Sequence, residues 1–318
     1  MGLASPIPGG KDITQRVLLT VIGPVFIQHR WHVVDKTCDR VGRALENSIG
    51  GTGALVSGLY RLAELGPARL ITAVGRDSRA DQIHQWCQKL GIEVFSAAVA
   101  APTGQQCLIR LGNDWNVVAT ELGANPLLSA AVGTTISGNT EGPIFISMDV
   151  GGGLVEHVLS QWGNGHIYVS GTMGRLTDYR LLSRAKVLLL NRHQLGKLWG
   201  RPVEKLHHVE EAIQALSNLG VSRIMVCLSS EAAVVYDHGS YLWTSQSQTD
   251  IQDGPPSLPY GDFFVAGAVI GLEYGLAPLD AARAGLSMQN SMISGIADQK
   301  LPFAIRGSPW IQQFLLSS

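Results

Sequence analysis

The sequence predicts a doubly wound, mostly parallel α/β sheet flanked by helices, with a small β layer standing off it. Three observations point there. Short apolar, β-branched runs alternate with helical stretches at the spacing of parallel crossovers. Two β-rich interruptions, roughly 24–49 and 96–121, do not fit a helical crossover and suit a small separate sheet. The chain of 318 residues is 45% hydrophobic and 15% charged, so it can bury one large core without disulfide or metal staples.

Taken in order, residues 1–15 read as a disordered tail, and Arg16–Ile22 as a buried strand ending at Gly23. Phe26–Asn47 is polar and irregular, with short β-like pieces. Gly50-Gly51 opens a helix over Thr52–Leu65. Ala68–Val74 is a second buried strand, and Asp77–Leu90 a helix stopped by Gly91. Gln105–Leu111 and Asn116–Leu122 flank Gly112-Asn113-Asp114 as a hairpin. Pro143–Met148, His166–Val169, Ala185–Leu190 and Arg223–Leu228 are further short apolar runs with helices between them. Ala232–Asp237 and Ser240–Trp243 pair around His238-Gly239. Helices follow over Asp262–Tyr274 and Leu279–Gly295, with a terminal segment around Trp310–Leu316. Trp86, Trp162 and Trp199 sit on helical stretches as packing anchors.

Composition excludes several functions. The net charge is −1 and no Lys/Arg run occurs, so no basic field draws nucleic acid or an anionic membrane. The longest apolar stretch, Phe263–Leu272, is far below the roughly 18 residues of a membrane span. Cys38, Cys87, Cys107 and Cys227 form no C-x-x-C pair and read as buried free thiols, which fits a reducing, cytoplasmic setting. The opening MGLASPIPGGKD has no apolar signal core, and Pro6 stands where a myristoylation motif needs Ser or Thr. A soluble cytoplasmic protein is expected. There is no P-loop motif, no G-x-G-x-x-G after a strand, no H-E-x-x-H and no G-x-S-x-G. His207-His208 opens a charged helix as a solvated pair.

The chemically suggestive segment is Pro259-Tyr260-Gly261-Asp262. Gly261 permits close backbone approach, and Asp262 begins a long apolar helix. Free N–H groups at a helix start favour an anion, commonly a phosphate. A carboxylate in that first turn can accept a proton from an attacking hydroxyl, although local sequence alone favours a helix cap. Asp149, just past a strand and before Gly151-Gly152-Gly153, is a candidate to face the cleft where α/β ligands bind. The three glycines themselves read as a strand-to-helix turn.

The order of motifs goes further. Gly50-Gly51 with Gly53-Ala54, then Gly66, Ala73-Val74-Gly75-Arg76-Asp77 and Leu90-Gly91-Ile92 resemble the N-terminal signature of ribokinase-like (PfkB-type) carbohydrate kinases. Leu122-Gly123-Ala124-Asn125 resembles their G-A-N segment. Ala185–Asn191 with Leu195 and Gly200 is similar to their N-x-x-E passage. Gly220–Leu228 with Glu231-Ala232-Ala233 resembles the strand and turn that meet the nucleotide. Gly261-Asp262-x-Phe264-x-x-Gly267 resembles the C-terminal signature, and the likeness runs from about residue 16 to 303.

That resemblance implies an ATP-dependent kinase acting on an alcohol of a sugar, nucleoside or similar small molecule, with Mg2+ beside the phosphates. It implies Asp262 as base and Gly261 in the turn that holds the transferring phosphoryl group. Substrate contacts fall on Gln28, Gly50, Gly51 and Leu55, and nucleotide contacts on Asn191, Leu228, Ser229, Tyr260 and Asn290, with Gln289 beside it. Gln194 would help Mg2+ through water. The small β layer would be a lid, with a homodimer formed through it.

Departures fall on these working positions. Gln28 replaces an Asp that grips substrate hydroxyls, and Leu55 replaces an Asn. Gln194 replaces the Glu of N-x-x-E, Ser229 and Ala232 replace two glycines, and Pro259-Tyr260 replaces Gly-Ala. Proline has no N–H to donate, and losing one such donor costs on the order of 10²–10³ in rate. The sum implies a weakened or redirected kinase, or a catalytically inactive member kept as a binding or regulatory module.

Overall fold

The computed structural model describes residues 17–34, 41–44, 47–111, 114–129, 142–162, 166–171, 176–229, 231–244 and 260–294. The expected N-terminal tail, Cys38, Pro259 and the expected terminal helix lie outside the described residues.

The main sheet has nine strands. They are β1 (Leu19–Ile22), β5 (Ala68–Val74), β6 (Glu93–Ala98), β9 (Ile144–Ser147), β10 (Ile167–Ser170), β11 (Val187–Asn191), β12 (Arg223–Cys227), β13 (Ala233–Asp237) and β14 (Ser240–Trp243). Their spatial order is β14-β13-β12-β11-β10-β9-β1-β5-β6. Every pairing from β6 across to β12 is parallel, and β13 alone is reversed, pairing antiparallel with both β12 and β14. The direction of strand addition reverses between β1 and β9. A parallel sheet opens a crevice at such a switch point, beyond the C-terminal ends of the strands.

Helices cover both faces. On one side lie α1 (Thr52–Leu62), α2 (Ser78–Leu90), α6 (Tyr260–Glu273) and α7 (Pro278–Ser294); on the other lie α3 (Gly152–Gln161), α4 (Arg192–Trp199) and α5 (Leu206–Asn218). The strands supply both layers by alternation. Leu189 faces the first helical layer, while its neighbours Leu188 and Leu190 face the second. This explains why the strands read as continuous apolar runs. Helix α6 is buried from Phe263 through Ile270, which accounts for its apolar character all round. No helix among the described residues is long and apolar enough to cross a membrane. Cys87 and Cys227 are buried free thiols, and Cys107 is half-buried.

The second sheet, ordered β3-β2-β7-β8 with β4 also paired to β2, holds β2 (Phe26–Val34), β3 (Val41–Ala44), β4 (Ser48–Gly50), β7 (Gln105–Leu111) and β8 (Asp114–Glu121). Two details differ from expectation. The region read as irregular contains a nine-residue strand, β2, whose polar His29 and Arg30 obscure any alternation because it is paired on both sides. Residues 96–98 belong to β6 of the main sheet, so the second sheet resumes at Gln105.

The passages between the sheets are clamped. Asn125 accepts from the Val25 amide at 3.1 Å and donates to the Val25 carbonyl at 3.0 Å, fixing the exit from β1. Asp77 accepts from the Thr103 amide at 2.8 Å and hydroxyl at 2.6 Å, fixing the entry to β7.

Candidate active site

Where β4 leaves the second sheet, Gly50 and Gly51 turn the chain into α1. Gly51 has φ of 93°, and a Cβ there would stand 2.6 Å from the Pro24 carbonyl oxygen, so only glycine makes the turn. Helix α1 therefore starts without a side-chain cap and with no acidic residue in its first turn. Its first residue, Thr52, is 4% exposed. The Thr52 hydroxyl donates to Oδ1 of Asp262 at 2.5 Å, across 210 residues of sequence.

Asp262 lies in the first turn of α6, a carboxyl set deep in the molecule with part of its surface still open. Burial pushes its pKa up to about 7. The Thr52 hydrogen bond opposes that rise, and the negative charge of Asp149 adds to it. Asp149 follows β9, at the switch point, and its amide is bonded to Ser147 Oγ at 3.2 Å. The two carboxylates thus act on one another at the C-terminal ends of the central strands. This geometry can hold a proton near neutral pH and release it to, or take it from, a hydroxyl in the crevice.

Gly261 packs against Asn191, whose Nδ2 would lie 3.1 Å from a Cβ at that position. Asn191 ends β11 and caps α4, its Oδ1 accepting from the Gln194 amide at 2.8 Å. Gln194 returns the bond, its Oε1 accepting from the Asn191 amide at 2.9 Å. This is a reciprocal capping box. Gln194 is a poor fit for a metal role, being neutral with its oxygen engaged. Among the described residues no group of three His, Cys, Asp or Glu could hold a metal ion.

The other expected site residues are placed as follows. Gln28, 8% exposed on β2, donates from Nε2 to Gln106 at 3.0 Å and accepts from the Ser48 hydroxyl at 3.2 Å. Its amide occupies the space over Gly50, where a Cβ would meet Nε2 at 2.0 Å. Leu55 is buried in the core layer under α1 and offers no polar group. Leu228 is buried just past β12, and Ser229 closes its own turn, with Oγ accepting from the amides of Glu231 at 3.2 Å and Ala232 at 3.1 Å. Asn290 is half-buried on α7, next to Gln289, which is buried and accepts from the Cys227 thiol at 3.3 Å. Tyr260 is the first residue of α6; its ring lies outside the described residues.

Sequence reasoning missed Thr52, because nothing local relates it to Asp262. It also missed the Asn191–Gln194 box, whose N-x-x-Q signature before Leu195 was visible.

No protein-family model matches the sequence, and no curated protein matches it. Solved structures are similar in fold. Ribokinase from Thermotoga maritima has a TM-score of 0.66 at 18% identity, over 95% of this chain and 100% of that one. Ribokinase from Giardia lamblia has a TM-score of 0.67 at 15% identity, over 94% and 100%. Ribokinase from Arabidopsis thaliana, complexed with ribose and ATP, has a TM-score of 0.66 at 16% identity, over 95% and 99%. Identities this low speak to architecture alone, and on architecture the agreement spans nearly the whole molecule: this chain has the ribokinase-like fold.

Proposed function

We propose that the chain is an ATP-dependent phosphotransferase acting on an alcohol group of a small molecule, a sugar, nucleoside or related compound, with redirected or weakened activity. One observation carries this reading: the Asp262 carboxyl stands in the first turn of α6, held by the Thr52 hydroxyl at the start of α1 and near Asp149, where burial pushes its pKa up to about 7. A base is most effective when its pKa lies near the working pH. In the reaction, Asp262 takes the proton of the acceptor hydroxyl. The acceptor oxygen bonds to the terminal phosphorus of ATP as the bond from that phosphorus to its bridging oxygen breaks, and ADP leaves. Free N–H groups in the first turn of α6 favour the negative charge on the phosphoryl oxygens. Asn191, Leu228, Ser229 and Asn290 border the nucleotide, and Gln28, Gly50 and Gly51 the acceptor. Mg2+, which the family resemblance brings with it, has no fitting partner in Gln194. The second sheet is the lid, and Trp31, 40% exposed on β2, suits a homodimer contact through it.

A specific observation favours a second reading, an inactive binding or regulatory module. Gln28 and Ser229 spend their side-chain polar groups on neighbouring protein groups, and Gln194 spends its side-chain oxygen there.

Incubation with Mg-ATP and a panel of sugars, nucleosides and vitamin alcohols separates the two. The kinase reading expects ADP release that falls by about 10²–10⁴ in Asp262→Asn. No Asp262-dependent release from any acceptor, together with an ATP-induced melting shift indifferent to Mg2+, selects the inactive module.

A further inference from the structure

We propose that Thr52 is the positioning residue for Asp262: its hydroxyl holds Oδ1, so that Oδ2 is the oxygen presented to the crevice. The proposal rests on the reading of Asp262 as base and adds to it the part that orients the carboxyl.

The geometry is specific. Thr52 is buried, and its Oγ1 lies 2.5 Å from Oδ1 of Asp262. To the ionised carboxylate, which only accepts hydrogen bonds, the hydroxyl donates. Among the described residues, Thr52 is the one side chain that hydrogen-bonds to this carboxyl. A carboxyl held at one oxygen loses its freedom to rotate, and the second oxygen faces one direction. The holding group is itself well fixed. Thr52 follows Gly51, whose φ of 93° sets the start of α1. That start has neither a side-chain cap nor an acidic residue of its own. A carboxylate reaching over from α6 supplies the negative charge that the α1 N-terminus lacks. Orientation and charge complementarity therefore act on the same pair.

The surroundings leave Thr52 as the group that sets the proton affinity against burial. Of the elements packed on α6, β11 ends in the neutral amide of Asn191, and α7 meets it through Gly285 and Met288. The charge that reaches Asp262 is that of Asp149, after β9, and it disfavours ionisation.

The test is a ¹³C NMR titration of the full chain labelled in aspartate, with the Asp262 carboxyl assigned from Asp262→Asn. Wild type is expected to titrate near 7. Thr52→Val, similar in shape but without the hydroxyl, should raise that value by about one to two pH units, the effect of removing a hydrogen bond to a charged group. Thr52→Ser should restore it. A Thr52→Val value within a few tenths of wild type overturns the proposal; if that variant does not fold, Thr52→Ala is read the same way. The titration needs no turnover. A shift without phosphoryl transfer leaves Thr52 in its role and removes the kinase reading. Asp262-dependent transfer without a shift does the reverse.

Discussion

Asp77 and Asp262 both stand at helix starts, and their surroundings drive them in opposite directions. Asp77 caps α2. Desolvation works against its charge, but the Thr103 hydroxyl and amide, the Ala80 amide and Arg79 outweigh it, and its pKa is lowered. Asp262, in the first turn of α6, has one hydroxyl donor, deeper burial and a second carboxylate nearby, and its pKa is raised to about 7. Position relative to a helix does not decide the fate of a carboxyl. The balance of burial against the donors and charges around it does. Asp77 is built into the joint between the two sheets, while Asp262 is left under-provided, deep in the molecule and near Asp149. Under-provision of this kind is a signature of working groups.

The two groups consequently load the stability of the protein with opposite sign. Asp262 keeps its proton in the folded chain up to about pH 7, whereas the unfolded chain loses it near the ordinary value of 3.8. Across that window the native state binds more protons, so stability falls as pH rises and the loss is complete above about 7. Asp262→Asn removes the titration while keeping an oxygen for Thr52. Urea melts should therefore show the variant more stable than wild type at pH 8, by up to about 4 kcal/mol, with the gap closing toward pH 4. Equal stabilities at both pH values would break the contrast with Asp77.

Asp77 works the other way. Its depressed pKa gives stability that is present above the ordinary carboxylate range and lost as pH falls through the folded value. Asp77→Ala deletes a helix cap and the anchor of Thr103, with an expected cost of about 1–3 kcal/mol at pH 7. The measurement is the midpoint of urea unfolding. Hydrogen exchange at Thr103 and at the β7 amides should speed up more than exchange in β10 or β11, because the lost bonds sit at the joint. A uniform change would show that Asp77 does no more than cap α2.

The same contrast marks what the sequence could reveal. Central strands such as Val187–Asn191 were legible because a doubly covered strand has to be apolar throughout. The place of Asp262 at a helix start was legible because a carboxylate beside glycine at the head of an apolar helix is a local pattern. Its partners were not. Thr52 lies 210 residues away, and only the packing of α1 on α6 brings it there. The meaning of Gln28 was hidden for a related reason. Its amide is satisfied by Gln106 through the parallel register of β2 with β7, and no one-dimensional pattern encodes register between strands so far apart. Gln194 is the reverse case, since comparison with a family motif made it look like a lost metal contact while its local capping signature went unread.

Gln194 also offers the finest adjustment of the comparison. The Asn191–Gln194 box starts α4 with two neutral amides, so the box itself carries no titrating group, while His193 in the same turn has its pKa lowered by burial and by Lys197. Gln194→Glu keeps an oxygen for the Asn191 amide and adds a negative charge in the first turn, where the helix dipole favours it. The expected gain is about 0.3–1 kcal/mol at pH 7, read as a small rise in melting temperature that vanishes at pH 3. A carboxylate provided with a backbone donor at a helix start would then behave like Asp77 and unlike Asp262. A fall in melting temperature at pH 7 would mean that a nearby negative charge or desolvation outweighs the cap, which would put this position electrostatically in the same crevice as Asp262.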